Sequence, residues 1–260
     1  MKIFLNLLLC DFKRTVLSLR FLVAIVGLTI ITLLTMFDEI RHFQPGITSV
    51  LYIDMVIRYL DFHITYLIFA AIPGTLLFCA DWDNRFIRFA VLRCSKYKYA
   101  AAKALACFCS AVLAVLLSEA LTLSIFSIRF HVYSANADAT GIYSFFANEE
   151  TVVLFFAVKI LCEAFCAGFL CVFALWFSTK ITNSFVALAT PLLAFYLIST
   201  VGFTLRFPVM FNISSLSKGY VSVLDDPYIS FFYTLLIFSM AALIFGVLFV
   251  KSCTGRIEHG

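Results

Sequence analysis

Six stretches of the chain, residues 21–37, 62–80, 104–128, 151–178, 184–205 and 229–250, are apolar over lengths near the roughly 20 residues a helix needs to cross a bilayer. At these lengths only helices satisfy their own backbone inside lipid, so the runs predict an all-α, polytopic membrane protein with six transmembrane helices. Composition agrees: 63% of the residues are hydrophobic, 31 are Phe, and the mean hydropathy is +1.03, values outside the range of soluble domains. No small-residue cleavage pattern follows the first run, which continues into "FDEIRHFQPG", so it is expected to remain as a span rather than be removed as a signal sequence.

Six spans put both termini on one side, and the cations say which. The terminal side would hold Lys2, Lys13, Arg14, Arg20, Arg85, Arg88, Arg93, Lys96, Lys98, Lys103, Lys180, Lys251 and Arg256. The opposite side has only Arg41, Arg58, Arg129, Arg206, Lys218 and Lys159, which is counted there although it falls inside the fourth span. It also collects Asp38, Glu39, Asp54, Asp61, Asp138, Glu149, Glu150, Asp225 and Asp226. By the positive-inside rule both termini are expected to be cytoplasmic. The net charge of +4 then follows from topology and implies no nucleic-acid partner. The outer connections, about 38–61, 129–150 and 206–228, are too short for cores of their own, and 206–227 is apolar enough to dip back into the outer leaflet.

Residues 1–20, "MKIFLNLLLCDFKRTVLSLR", read as a separate interfacial amphipathic helix ahead of a single domain over 21–260. At 100° per residue Lys2, Asn6, Lys13 and Arg20 fall within about 40° of one another, with Leu5, Leu9, Phe12, Val16 and Leu19 bordering that stripe. An ordinary basic lead-in to the first span is the plainer alternative; Asp11 and Arg14 fall off the stripe.

The nine Cys are expected to be free thiols, most lying in or beside apolar segments. "CEAFC" places Cys162 and Cys166 one turn apart, but no second Cys pair or His accompanies it, so packing is preferred to a metal site. Glu119 and Glu163 are carboxylates inside predicted spans. Each would cost at least about 2.5 kcal/mol facing lipid at mid-membrane, so both should face protein or water. They are candidate pathway or gating groups, as is Pro191 in the fifth span. The plainer reading of Glu163 pairs it with Lys159, one turn earlier. His63 reads as an interface residue. The chain has no G-x-x-x-x-G-K-[ST] loop, so it does not bind ATP by that mechanism.

Charge concentrates between the second and third spans, in "DWDNRFIRFAVLRCSKYKYAAAK", residues 81–103. Trp82, Phe86 and Phe89 recur at helical spacing among Arg85, Arg88 and Arg93, which suits a short surface helix able to dock into a partner. Beyond it, Lys96 and Lys103 mark the chain's return to the membrane, with Tyr97 and Tyr99 as interface anchors.

An interfacial first helix, six spans, and a second-to-third-span connection of the form acidic residue, basic-aromatic helix, "RCSKYKYAAAK", together resemble the permease subunits of type-2 ATP-binding-cassette exporters, in particular the small ones of Gram-positive bacteria. Asp81, Arg93, Ser95, Lys96, Tyr99 and Lys103 match that family's pattern, and "STKITNSFVALATPLLAFYL", with Pro191, is a second similarity. The resemblance covers the chain in layout and is specific over residues 80–103. It implies that Asp81, Trp82, Arg85, Phe86, Arg88, Phe89 and Arg93 form the element coupled to a separate cytosolic ATPase. That partner would hold ATP and magnesium, and this chain would bind no cofactor. It implies a second permease subunit, identical or related, in a bacterial plasma membrane, and a first helix serving as the connecting elbow. Few polar residues in the spans point to an amphipathic or lipid-like cargo such as a peptide; a role in immunity to antimicrobial peptides is a related reading.

Two other classes stay open. A gradient-driven carrier is suggested by Pro73 and Pro191 at corresponding positions of the two halves, although no internal repeat is evident. An intramembrane protease would need a metal motif such as H-E-x-x-H or a Ser and His pair at membrane depth. Glu149 and Glu150 adjoin, as in one glutamate-based protease family, but Leu154 stands where an Arg is expected.

Overall fold

A bilayer leaves the backbone no external hydrogen-bond partner, and the chain answers with helices. A computed structural model describes residues 2–42, 49–59, 64–133, 142–219 and 226–259. In chain order its helices are α1 (Lys2–Val16), α2 (Leu19–Thr35), α3 (Phe37–His42), α4 (Val50–Tyr59), α5 (Tyr66–Asp83), α6 (Phe86–Arg93), α7 (Lys96–Arg129), α8 (Val152–Ser178), α9 (Ser184–Thr204), α10 (Ile213–Lys218) and α11 (Pro227–His259). Among the described residues there is no β-strand, only a bridge between Ser49 and His131.

Five of these helices, α5, α7, α8, α9 and α11, are long and apolar enough to cross a membrane. A sixth crossing exists only if α1 and α2 count as one bent span, because they meet at 52°. The expected first span thus has its counterpart in α2 taken together with α1: α2 by itself has 17 residues, about 25 Å of helix against a core of roughly 30 Å. The bend has a local cause. The N–H of Ser18 bonds the Thr15 carbonyl and ends α1, while the Ser18 hydroxyl accepts from the Phe21 N–H at 3.3 Å and caps α2. Arg20 therefore lies past the bend, off the expected continuous stripe, whereas Asn6 and Lys13 are exposed on α1.

At the basic end three helices outrun their predicted spans. α5 continues through Asp81 to Asp83, α7 begins eight residues before its predicted span, at Lys96, and α11 runs to His259. Long helices thus project beyond the apolar core at one end of the bundle. The Lys96 ammonium pairs with Glu258 there and Lys103 with Asp11, which brings both ends of the chain together.

α8 is the axis of the bundle. It is buried along most of its length by α5, α7, α9 and α11, while α2 packs on α5 and α7. Where apolar solvent gives helices no reason to associate, close packing must hold them, and small residues permit it. Ala100, Ala104, Cys107 and Ala111 of α7 face the core together with Ala164, Ala167 and Cys171 of α8. Two close approaches in this core are at glycine: a Cβ on Gly74 would lie 2.8 Å from the Cys107 sulfur, and one on Gly168 would lie 2.7 Å from the Phe108 ring. Of the five span-length helices α9 and α11 are the least covered, and Phe232, Leu236, Met240, Leu243 and Val247 form an exposed apolar stripe along α11.

The opposite end carries its own apolar cluster. Val50, Leu51, Ile53 and Ile57 of α4 pack with Phe126, Phe130, Tyr143, Phe146 and Phe155. The segment after α9 forms the short helix α10, capped by the Asn212 side chain, with Ile213 and Leu216 buried in the main core. Residues 220–225 of that connection lie outside the described residues, as do Asp61 and His63.

Candidate functional site

The basic end of the bundle builds two neighbouring features, an exposed short helix and a buried cluster of charge. α5 ends where the Asn84 side chain and backbone both donate to the Ala80 carbonyl. Arg85 then adopts a left-handed conformation, φ 55°, which L-residues with a Cβ adopt only at a cost of order 1–2 kcal/mol. That residue turns the chain out of α5 and into α6. One face of α6 is held: Ile87 is buried, and Ala90 and Val91 pack on the main core. The other face is open, with Phe86 46%, Phe89 66% and Leu92 84% exposed.

The turn separates residues that sequence periodicity placed on one helix. Trp82 belongs to α5 and packs inward, its ring 6.1 Å from Phe78 and under the Arg256 guanidinium at 4.2 Å. Arg256 also donates to the Thr179 carbonyl at 2.6 Å, joining α11 to the end of α8. Arg85 is exposed at the turn, and the backbone places Arg88 and Arg93 on α6.

Asp81 is not on the exposed surface at all. It is fully buried, and three groups converge on it. Arg14 of α1 donates from Nη1 to Oδ1 at 2.9 Å, the Tyr99 hydroxyl donates to Oδ2 at 2.9 Å, and Lys103 Nζ lies 2.5 Å from Oδ2. Lys103 is equally buried and reaches Asp11 of α1 at 3.1 Å on its other side. Two carboxylates are thus matched by two cations, and α1, α5 and α7 are joined through them. Arg14 extends the network outward, since its guanidinium also lies 5.5 Å from the Phe86 ring centroid of α6. Tyr99 and Lys103 are accordingly network members and do not sit at a lipid interface as expected from their position before the third span. Lys96 pairs with Glu258, and Tyr97, 57% exposed, keeps a surface position. Asp11 and Arg14 fall off the amphipathic stripe because they belong to this cluster.

The intramembrane groups lie apart from it. Glu119 on α7 and Glu163 on α8 are both buried and engaged by neighbouring groups, and Pro191 is buried within α9. Lys159, expected to pair with Glu163, has its ammonium 4.0 Å from the Asp54 carboxylate of α4 and 4.3 Å from the Phe155 ring centroid. All nine cysteines are free; Cys162 and Cys166 are buried in α8, with Cys162 3.7 Å from the Tyr143 hydroxyl. Among the described residues no group of side chains is arranged to hold a metal ion.

A groove of about 520 Å³ opens between α7, α8 and α11 on the side of the bundle nearest Phe4. Its walls are almost wholly apolar, with Ala104, Phe108, Val172, Leu243 and Gly246 among them and Ser239 as the one hydroxyl. Such a lining suits acyl chains or apolar side chains and offers nothing to a sugar or an ion.

Compared with protein-family models, curated proteins and solved structures, the chain matches none.

Proposed function

We propose that the protein is the membrane-spanning permease subunit of an ATP-binding-cassette exporter, with α6 as the element through which a separate cytosolic ATPase acts on the spans. The observation that carries this reading is the wiring of α6. It presents Phe86, Phe89 and Leu92 outward while Ile87 seats it on the bundle, and Arg14 connects it to the buried Asp81–Lys103–Asp11 cluster. A partner that pulled or pushed α6 would move α1, α5 and α7 with it.

In this reading the protein lies in the plasma membrane of a bacterial cell, with the basic end and both termini facing the cytoplasm; the span-length helices support a multi-pass membrane protein. The ATPase supplies ATP and magnesium, and a second permease subunit completes the pathway. The apolar groove favours an amphipathic or lipid-like cargo over a polar one. A gradient-driven carrier is the second reading, favoured by the buried Glu119 and Glu163 at membrane depth, the kind of group that proton relays use.

Purification of the full-length chain from its native membrane in mild detergent separates the two. The permease reading predicts that an ATP-binding-cassette ATPase co-purifies and is lost when Phe86 and Phe89 are both changed to Ala, with the bundle's unfolding temperature unchanged. A preparation free of ATPase whose substrate flux follows the proton gradient and is abolished by Glu119→Gln would establish the carrier instead.

A further inference from the structure

A second cavity, of about 290 Å³, lies between the α1–α2 bend and α5. Its rim is polar: Arg14, Ser18, Arg20 and Asn84. Its wall is apolar, with Pro73 and Leu77 one turn apart on α5, leading from the basic end toward the middle of the span. No carboxylate lines it.

The charge of the rim is fixed and in excess. Arg14 is oriented by its bond to Asp81, and within the buried cluster Arg14 and Lys103 already offset Asp11 and Asp81. Arg20, exposed on the first turn of α2, adds a further cation facing the same cavity. The Ser18 hydroxyl turns away to the Thr15 carbonyl and the Phe21 N–H, and the Asn84 amide is held by the Ala80 carbonyl, so the donors the rim presents are its guanidinium groups. Two guanidiniums above an apolar wall form a receptor for an anion that carries a hydrocarbon tail.

We propose that this cavity binds a phosphate group at Arg14 and Arg20, and that its source is the headgroup of an anionic phospholipid whose acyl chain lies along Pro73 and Leu77. The site is independent of any transport activity. It would make the α1–α2 bend a lipid-held joint, beside the charge cluster that ties α1 to α5 and α7.

The full-length chain in detergent, examined by native mass spectrometry against titrated phosphatidylglycerol or phosphatidylcholine, tests this. The expected result is one retained phosphatidylglycerol, weakened about fivefold by Arg20→Ala and removed by Leu77→Trp, which fills the wall; phosphatidylcholine binds no better than to either variant. Lys98→Ala removes an exposed cation at the same end and should leave retention unchanged. A parallel thermal-unfolding titration with inorganic phosphate distinguishes the source. Stabilisation by phosphate that Arg20→Ala abolishes, without preference for phosphatidylglycerol, would keep the phosphate site and assign it to a soluble ligand. The proposal is overturned if wild type, Arg20→Ala and Leu77→Trp bind phosphatidylglycerol and phosphate alike, or if Lys98→Ala weakens binding as much as Arg20→Ala does.

Discussion

Lys103 stands buried between two carboxylates that belong to other helices; Asp81 also holds Arg14 and Tyr99, whereas Lys103 is the cation paired with Asp11. Changing it to Met leaves Asp11 and Asp81 without their shared cation in a low-dielectric site, a loss of about 3–5 kcal/mol. Tyr99→Phe removes one hydrogen bond to the Asp81 carboxylate and should cost about 1.5–3 kcal/mol. Unfolding curves of the two variants in one detergent check the ranking: the Lys103 variant falls further. A smaller loss for Lys103→Met than for Tyr99→Phe would mean that the cluster is not the joint described here. From sequence alone Lys103 and Tyr99 look like residues flanking a span, because a basic residue and an aromatic one before an apolar run are what topology requires. Their partners are 92 and 18 residues away, and no local period encodes them. The one hint was negative: Asp11 and Arg14 break the amphipathic pattern of the first helix, and a residue that breaks a surface pattern needs a partner elsewhere.

At the scale of the element, α6 divides its residues between holding and presenting. Ile87 holds it, so Ile87→Ala should release α6 locally while the spans remain folded. Hydrogen exchange measured over residues 86–93 should then rise sharply, with protection of α7 and α8 unchanged; equal loss of protection in all three would show that α6 is part of the core. The sequence made this segment legible as a basic-aromatic surface helix but ran it together with Trp82. The break at Asn84 and Arg85 lacks the Gly or Pro that usually announces a turn, and a left-handed Arg is among the weaker signals available. The other elements follow the same division. Apolar run length locates the five span-length helices, and a sixth where α1 and α2 are taken as one bent span, since lipid imposes that length on any helix that must cross it. Run length does not mark the ends of α5, α7 and α11, which continue into charged sequence, where helix propensity and ion pairs, not hydropathy, decide the boundary.

Across the whole molecule the two ends differ in kind. One gathers the termini, the exposed α6 and the Asp11–Lys103–Asp81–Arg14 cluster; the other is closed by α4, the turn at Ile142–Phe146 and α10, packed mainly through aromatic and branched side chains with the buried Lys159–Asp54 pair among them. Of the second end the sequence shows only the apolar character of 206–227; its other segments are too short to read as more than connections, and their apolar residues find one another only in the folded bundle. If the first end is the cytoplasmic docking face, a photoreactive benzoylphenylalanine at position 89 must meet protein there, and one at the exposed Phe145 of the opposite end must not. Irradiation of intact cells expressing each variant is the most direct measurement. The proposal predicts an adduct with an ATP-binding-cassette ATPase from position 89 and none from position 145. Adducts from position 89 with lipid alone, or an ATPase captured equally from both positions, would contradict it.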